Sequence, residues 1–492
     1  MTHRNPPAAD DVFAALPPAR PDDPALRASI RRQRAEVGLA LGVIDDDPTG
    51  SQAVHGVQVV LVPDQRAYAE ALRGPAATCF ALTNSRSLDE PEAVRLTTSA
   101  AAALAAAAAR TGGRIQLLSR SDSTLRGHVL AEPAALAQVH ERVSGSAPDA
   151  VLFAPAFIEA GRMTAADVHW ARTAAGLIPV GQTEFARDAQ FGYTASNLRD
   201  FLAEKGEPAG AQVASIGLDD IRLGGPGRVR EVLAGVLRGR PPGGRPPGWV
   251  VVNATEYSDL EVVALGLLGA ERDGGRFIFR TGPSFVRALA GLDPRPPLRG
   301  QDIVAARPQG HGLVVVGSHV DQTTRQLELL LEGAAGAGLA VIELDVSAVL
   351  DGRPEAALNA GRAAAVALGR RDVVLYTSRR VRSARGAAGM EAGRAVSAAL
   401  VQAVRVALPA RPAWVIAKGG ITSHDVAVAG LGIRRAEVAG QLFPGQVSVF
   451  VPADADPAAV GLPYVVFPGN VGGDGALRDA VAILRDARGP GG

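Results

Sequence analysis

From residue 39 onward, short apolar runs rich in β-branched residues alternate with longer Ala-, Leu- and Arg-rich stretches, and few folds satisfy that pattern. LALGVI, VQVVLV, TCFALT, RIQLLS and AVLFAP read as strands, with helices predicted over 90–110 and 129–143. A parallel return needs a crossover long enough to hold a helix, so the alternation predicts a mostly parallel sheet. GWVVVN, a helix over 259–271 and RFIFRT continue the set. A third set runs GLVVVGS, LAVIEL, DVVLYT, AWVIAKGG and YVVFPGNVGG, with helices predicted over 322–333, 354–368, a long stretch ending at 408, and 476–486.

The Pro- and Gly-rich break at 291–310 separates the third set from the others. The expectation is therefore two α/β domains, 37–295 and 311–492, with mostly parallel sheets and an active-site cleft between them. Residues 1–36 are Pro-, Ala- and charge-rich and read as a weakly ordered extension with a short helix over 25–36, and 238–247 reads as a surface loop.

The chain has 492 residues and 47% hydrophobic content, ample for more than one core, and a formal charge of +1. Near-neutrality gives no electrostatic reason to expect nucleic acid or an anionic membrane, so a small soluble substrate is the expected partner. The one cysteine, Cys79, lies in an apolar run and reads as a buried strand thiol, which suits a reducing compartment. No run has signal-peptide or bilayer-spanning character, so a cytoplasmic protein is expected. Among 51 basic residues only Lys205 and Lys418 are lysines, which singles out Lys418 as a place where a compact ammonium is wanted.

Ligands of open α/β sheets bind where strands end in turns, so the polar and Gly-rich strand ends are the candidate site. LALGVI ends in Asp45-Asp46-Asp47-Pro48-Thr49-Gly50, three successive carboxylates that need water, a cation or donors. TCFALT ends in Asn84-Ser85-Arg86-Ser87, where Arg86 offers a carboxylate clamp and Ser87 a helix cap. RIQLLS ends in Arg120-Ser121-Asp122-Ser123-Thr124-Leu125-Arg126-Gly127. That turn supplies donors for an acid and a carboxylate, Asp122, able to orient an attacking hydroxyl; internal Asp–Arg pairing is the competing reading.

The last set ends in three glycine turns: Gly317-Ser318-His319, Lys418-Gly419-Gly420-Ile421-Thr422, and Gly469-Asn470-Val471-Gly472-Gly473. Glycines between strand and helix let backbone N–H groups approach phosphate, and Lys418 adjoins one turn. Neither a Walker A pattern nor a GxGxxG follows a strand.

Taken together, the turn at 46–50, TNSRS at 83–87, DSTLRG at 122–127, APAFIEAGRMT at 154–164, TEFARDAQFGY at 183–193, VVGSH, KGGITS and FPGNVGG resemble the four-carbon acid sugar kinases over nearly the whole chain from Leu39. The resemblance implies a sugar-acid-binding first domain, a nucleotide-binding second domain, and ATP-dependent phosphorylation of an oxo-tetronate, threonate or erythronate, with magnesium accompanying ATP and no protein ligand for it identified. By motif position, Asp122 and Asp47 would be catalytic, and Asp46, Thr49, Arg86, Ser123, Thr124 and Arg126 would face the acid. Ser318, Lys418, Gly419, Gly420, Thr422, Gly469, Asn470, Gly472 and Gly473 would face ATP. Oligomeric state stays open. Two rivals have other chemistry: a DxDxT phosphohydrolase using Asp45 as nucleophile and Asp47 as acid/base, and a non-catalytic sugar-acid sensor.

Overall fold

The computed structural model describes residues 8–74, 76–174, 176–206, 213–238, 247–303, 310–333, 338–379 and 387–486, with 387–390 as backbone only. Most of the predicted loop at 238–247 and residues 304–309 of the predicted break lie outside them. Two compact units result: Met1–Val57 with Pro63–Pro294, and Gln58–Val62 with Arg295–Gly492. Both are α/β with mostly parallel sheets.

In chain order the strands are β1 Leu39–Asp45, β2 Val57–Val60, β3 Thr78–Leu82, β4 Arg114–Arg120, β5 Ala150–Ala154, β6 Arg162–Ala165, β7 Val168–Thr173, β8 Gly176–Pro179, β9 Val213–Ile216, β10 Gly248–Val252, β11 Phe277–Thr281, β12 Leu313–Val316, β13 Ala340–Leu344, β14 Val373–Thr377, β15 Val415–Lys418, β16 Arg435–Gln441, β17 Ser448–Asp454 and β18 Tyr464–Phe467.

In the first unit, β3-β1-β4-β11-β5-β10-β9 form a parallel sheet. Strands β1, β3, β5 and β11 are buried along their whole length, which is why they read as continuous apolar runs. The register sets Asp45 opposite Leu82 and Arg120, Arg120 opposite Thr281, and Thr281 opposite Ala154. All the turns that follow these residues therefore leave from one edge of the sheet.

The helix Glu90–Arg110 is capped by Asp89, whose side chain accepts from Glu92 N at 2.9 Å, and buries Ala93, Thr97, Ala100, Ala101 and Leu104 at helical spacing. Residues 24–36 are more ordered than their composition suggests, because two of their arginines are buried with partners. In the helix Pro24–Glu36, Arg27 pairs with Asp22 at 2.6 Å, Asp293 at 2.9 Å and Glu261 at 3.2 Å, while Arg34 donates to four main-chain oxygens of the first unit. Strands β6-β7-β8 form a separate small antiparallel sheet.

The second unit orders its strands β13-β14-β12-β15-β18-β17-β16-β2. The first five are mutually parallel, and β17 runs antiparallel to both β18 and β16. The β2 segment sits beside β16, with Leu61 N donating to Arg434 O at 2.9 Å and Arg435 to Gln58 Oε1 at 2.8 Å. Val316, Lys418 and Phe467 share a row, so the three glycine turns leave from one edge here too. Val314, Val316, Leu327, Ile416, Val465, Phe467 and Leu477 close the core beneath them. Among the described residues no helix is long and apolar enough to cross a membrane.

Candidate active site

The turn after β1 is built around paired charges. Asp46 is buried and takes a two-pronged contact from Arg86, Nη2 to Oδ1 at 2.5 Å and Nε to Oδ2 at 3.1 Å, while Arg86 Nη1 reaches Asp47 Oδ2 at 2.8 Å. Thr49 donates to Asp47 Oδ1 through its amide at 2.8 Å and its hydroxyl at 2.6 Å. Burial opposes ionisation of Asp47, but Arg86, Arg120 and Thr49 outweigh it and hold the carboxyl below the usual range. Arg86, expected as an open clamp, is thus engaged by two carboxylates of its own chain.

Asp45 lies deeper. It is 2% exposed, accepts from Arg120 Nη1 at 2.8 Å, and is pushed up to about 7 by burial, with Asp46 and Asp47 adding to the rise and Arg120 opposing it. A Cβ at Gly50 would stand 2.1 Å from both Asp45 carboxylate oxygens, so only glycine allows the chain to close over them. An attacking phosphohydrolase carboxylate must be open to phosphate, and Asp45 is enclosed beneath Gly50 and held by Arg120, which counts against the DxDxT assignment.

The turn after β4 carries the second carboxylate. Asp122 Oδ2 accepts from Arg126 Nε at 2.7 Å and from the Thr124 hydroxyl, whereas Oδ1 accepts no hydrogen bond among the described residues. Burial again opposes ionisation, and Arg86, Arg126 and Thr124 outweigh it, holding this carboxyl well below the usual range. The predicted internal Asp–Arg pairing is therefore present, and it leaves one oxygen of Asp122 available. Leu125 takes a left-handed conformation at φ +67° inside this turn, a strain the burial of its side chain offsets.

Two residues not singled out from sequence hold the turns from below. Glu132, on the helix Ala131–Ser144, accepts from Ser85 Oγ at 2.6 Å, Ser119 Oγ at 3.0 Å and Arg280 Nη1 at 2.9 Å, and Arg280 Nη2 donates to Arg126 O at 3.1 Å. The available signal was an arginine inside a buried strand, which requires a carboxylate partner somewhere.

The small sheet is tied to the Asp122 turn by His169, and the segment that follows it by Tyr193. His169 Nε2 donates to Ser123 O at 2.8 Å, its Nδ1 accepts from Thr164 Oγ1 at 2.9 Å, and Tyr193 donates to Thr124 O at 2.6 Å. Burial pushes His169 from 6.5 down to about 4. The unfolded chain then binds more protons between those values, so this contribution is complete above pH 6.5 and is lost as pH falls, reaching about 3 kcal/mol by pH 4. Urea unfolding of the wild type and His169→Gln at pH 7 and pH 4 is expected to show a smaller pH-dependent loss in the variant; equal losses would remove His169 as the source.

In the second unit the three glycine turns converge on Ser318. A Cβ at Gly419, where φ is +122°, would lie 2.8 Å from Ser318 Cβ and 3.0 Å from Thr422 Oγ1, and one at Gly469 would lie 2.9 Å from Ser318 Oγ. Thr323 Oγ1 donates to Gly469 O at 2.8 Å and stands 3.3 Å from Ser318 Oγ. Gln326, fully buried, donates to Val471 O at 3.0 Å and Gly473 O at 2.9 Å. Among the described residues the amides of Asn470, Val471, Gly472 and Gly473 donate to no backbone acceptor, and Cβ atoms at Gly420 and Gly473 would meet nothing within 4 Å. Unpaired amides beside unobstructed backbone are what a phosphate group requires.

Lys418 differs from its expected role. It has no exposure; Nζ donates to Pro468 O at 2.6 Å and lies 4.0 Å from the Phe467 ring centre, and burial pushes it down to about 7. In this structure it secures the last turn from beneath. No three His, Cys, Asp or Glu side chains among the described residues are placed to hold a metal ion.

Comparison with known proteins fits this division. Residues 41–289 match the family described as a sugar-binding N-terminal domain, and residues 313–477 match its nucleotide-binding C-terminal domain. The chain belongs to the four-carbon acid sugar kinase family that these two domains define. A Haemophilus influenzae protein of a family of unknown function superposes with TM-score 0.60 at 17% identity, covering 90% of this chain and 100% of its own. A Salmonella typhimurium LT2 structure, assigned provisionally as a tRNA synthase, gives TM-score 0.66 at 17% identity, covering 90% and 98%. Both show likeness of fold alone. No curated protein matches.

Proposed function

We propose that this protein is an ATP-dependent kinase that phosphorylates a hydroxyl, the terminal one, of a four-carbon sugar acid of the oxo-tetronate, threonate or erythronate class. The observation that carries the reading is Asp122: ionised, anchored through Oδ2, and presenting Oδ1 to accept the hydrogen of a substrate hydroxyl. Asp47 is the weaker candidate for that role, since both its oxygens already accept hydrogen bonds.

In the reaction the hydroxyl oxygen forms a bond to the γ-phosphorus of ATP, the bond from that phosphorus to the β,γ-bridging oxygen breaks, ADP departs, and the hydroxyl proton passes to Asp122. Phosphoryl transfer depends mainly on positioning and charge stabilisation, so a strongly ionised carboxylate suffices to orient the acceptor. The unpaired amides at 470–473 and the open backbone at Gly420 support phosphate binding by the second domain. Magnesium would enter with the nucleotide and neutralise its phosphates.

The test is ADP release with ATP and magnesium against stereoisomers of erythronate, threonate and 3-oxo-tetronate. Release dependent on one acid is the expected result. Silence across the panel, with phosphate-ester hydrolysis in the absence of ATP, would overturn the reading.

A further inference from the structure

Five guanidiniums gather at the turn-bearing edge of the first sheet and the small sheet beside it, and their partners separate one from the rest. Arg86 is paired with Asp46 and Asp47, Arg120 with Asp45, Arg280 with Glu132, and Arg126 with Asp122. Arg162, at the start of β6, has no carboxylate within ion-pairing distance among the described residues. Its Nη1 donates to the Ala160 carbonyl, and its Nε, like that of Arg120, is buried with no partner among the described residues. A shielded guanidinium N–H without an acceptor is costly unless a ligand supplies one.

Its surroundings say what kind of ligand. Arg162 and Arg126 both lie against the Phe185 ring, with guanidinium carbons 5.7 Å and 5.1 Å from its centre. Two cations sharing one ring repel each other, and an anion received by both relieves that repulsion. Arg126 engages Asp122 through Nε and approaches Asp188 at 3.7 Å through Nη1, and its Nη2 donates to nothing among the described residues. The bond from His169, on β7, to Ser123 O holds the β6–β7 hairpin beside the Asp122 turn, near enough that Asp122 still acts electrostatically on Arg162.

We propose that Arg162 and Arg126, flanking Phe185, form the subsite that receives the carboxylate of the sugar acid, with Arg162 the residue that makes the site select acids over neutral polyols. The assignment rests on the sugar-acid reading of the first unit. It also relieves Arg86 of the clamp role expected from sequence, since Arg86 already serves Asp46 and Asp47. A site built around a charged group discriminates strongly against an analogue lacking it, because its own donors are then left unpaired.

The experiment is calorimetric titration of the full chain, without ATP, using the four-carbon acids, their amides and the corresponding alditols. The wild type is expected to bind one acid in preference to its amide. Arg162→Gln is expected to weaken the acid by roughly 10- to 100-fold, the loss of hydrogen bonds to a charged group, while leaving the amide within about twofold. Acid binding unchanged in Arg162→Gln, or acid and amide weakened equally, overturns the subsite and leaves the kinase reading intact. A wild type that binds none of the acids overturns both. Should Arg162→Gln fail to fold, the acid-to-amide affinity ratio of Arg162→Lys decides: a several-fold fall supports the forked contact, since an ammonium cannot reproduce it, and an unchanged ratio overturns it.

Discussion

Asp122→Asn is expected to lower kcat for acid-dependent ADP release by roughly 10²- to 10⁴-fold, the usual worth of a positioned base, with the dissociation constant of the sugar acid changed only a few-fold. The substitution is isosteric. An asparagine can keep its carbonyl oxygen where Oδ2 now accepts from Arg126 and Thr124, which places its amide nitrogen where Oδ1 stands. The substrate hydroxyl would then meet a donor in place of an acceptor, and its proton would have no destination. Pre-steady-state turnover together with calorimetric binding separates the outcomes. A loss confined to rate fits a kinase; a loss of affinity in a protein that never turns over fits a sensor. Undiminished turnover would move the role to Asp47 despite its occupied oxygens.

The parallel sheets were legible because many of their strands are buried on both faces, and continuous runs such as TCFALT and AVLFAP survive any choice of register. The turns of the candidate site were legible for a related reason: at 45–50, 84–87 and 120–127 the apolar pattern stops abruptly in charge, and strand ends are where an open sheet places its ligands. The β6–β7 hairpin was not legible. Its turn uses Ala166 and Asp167, both left-handed at φ +52° and +61°, in place of the Asn-Gly or Asp-Gly pair that advertises such a turn, and β6 and β7 mix Arg, Thr and His with their apolar residues. The transfer of Gln58–Val62 to the second unit was hidden as well, since an apolar run reports burial and not which sheet provides it.

Which arginine meets which carboxylate was the hardest part to read. Spacing within one turn gives Arg126 to Asp122, four residues apart, but Arg280 and Glu132 are separated by 148 positions and Arg86 and Asp46 by 40. Such pairs are made by the register of the sheet, which no local window contains. Sequence therefore identified Arg86 and Arg126 as equals, and only the pairing across strands shows that Arg86 is engaged and that Arg162, inside the motif at 154–164, pairs with no carboxylate among the described residues.

Glu132→Ala is expected to cost about 3–5 kcal/mol of stability, the range for removing one partner of a buried ion pair. Glu132 and Arg280 have side chains 1% and 2% exposed, so deletion of the carboxylate strands a guanidinium in the interior. Burial pushes the Glu132 carboxyl up, with Arg280, Ser85 and Ser119 working against that rise. The hydroxyls of Ser85 and Ser119 lose their acceptors at the same time, and these sit beneath the Arg86 and Asp122 turns. Pairing the change with Arg280→Met removes the stranded charge and fills its volume, so the double variant is expected to be more stable than Glu132→Ala alone, a non-additivity that a double-mutant cycle in urea would measure. Simple additivity would mean that water reaches the guanidinium once the carboxylate is gone. The acid-dependent turnover of the double variant then reports separately on geometry: stability recovered without activity would assign Glu132 and Arg280 the task of aligning the two turns, beyond merely holding them.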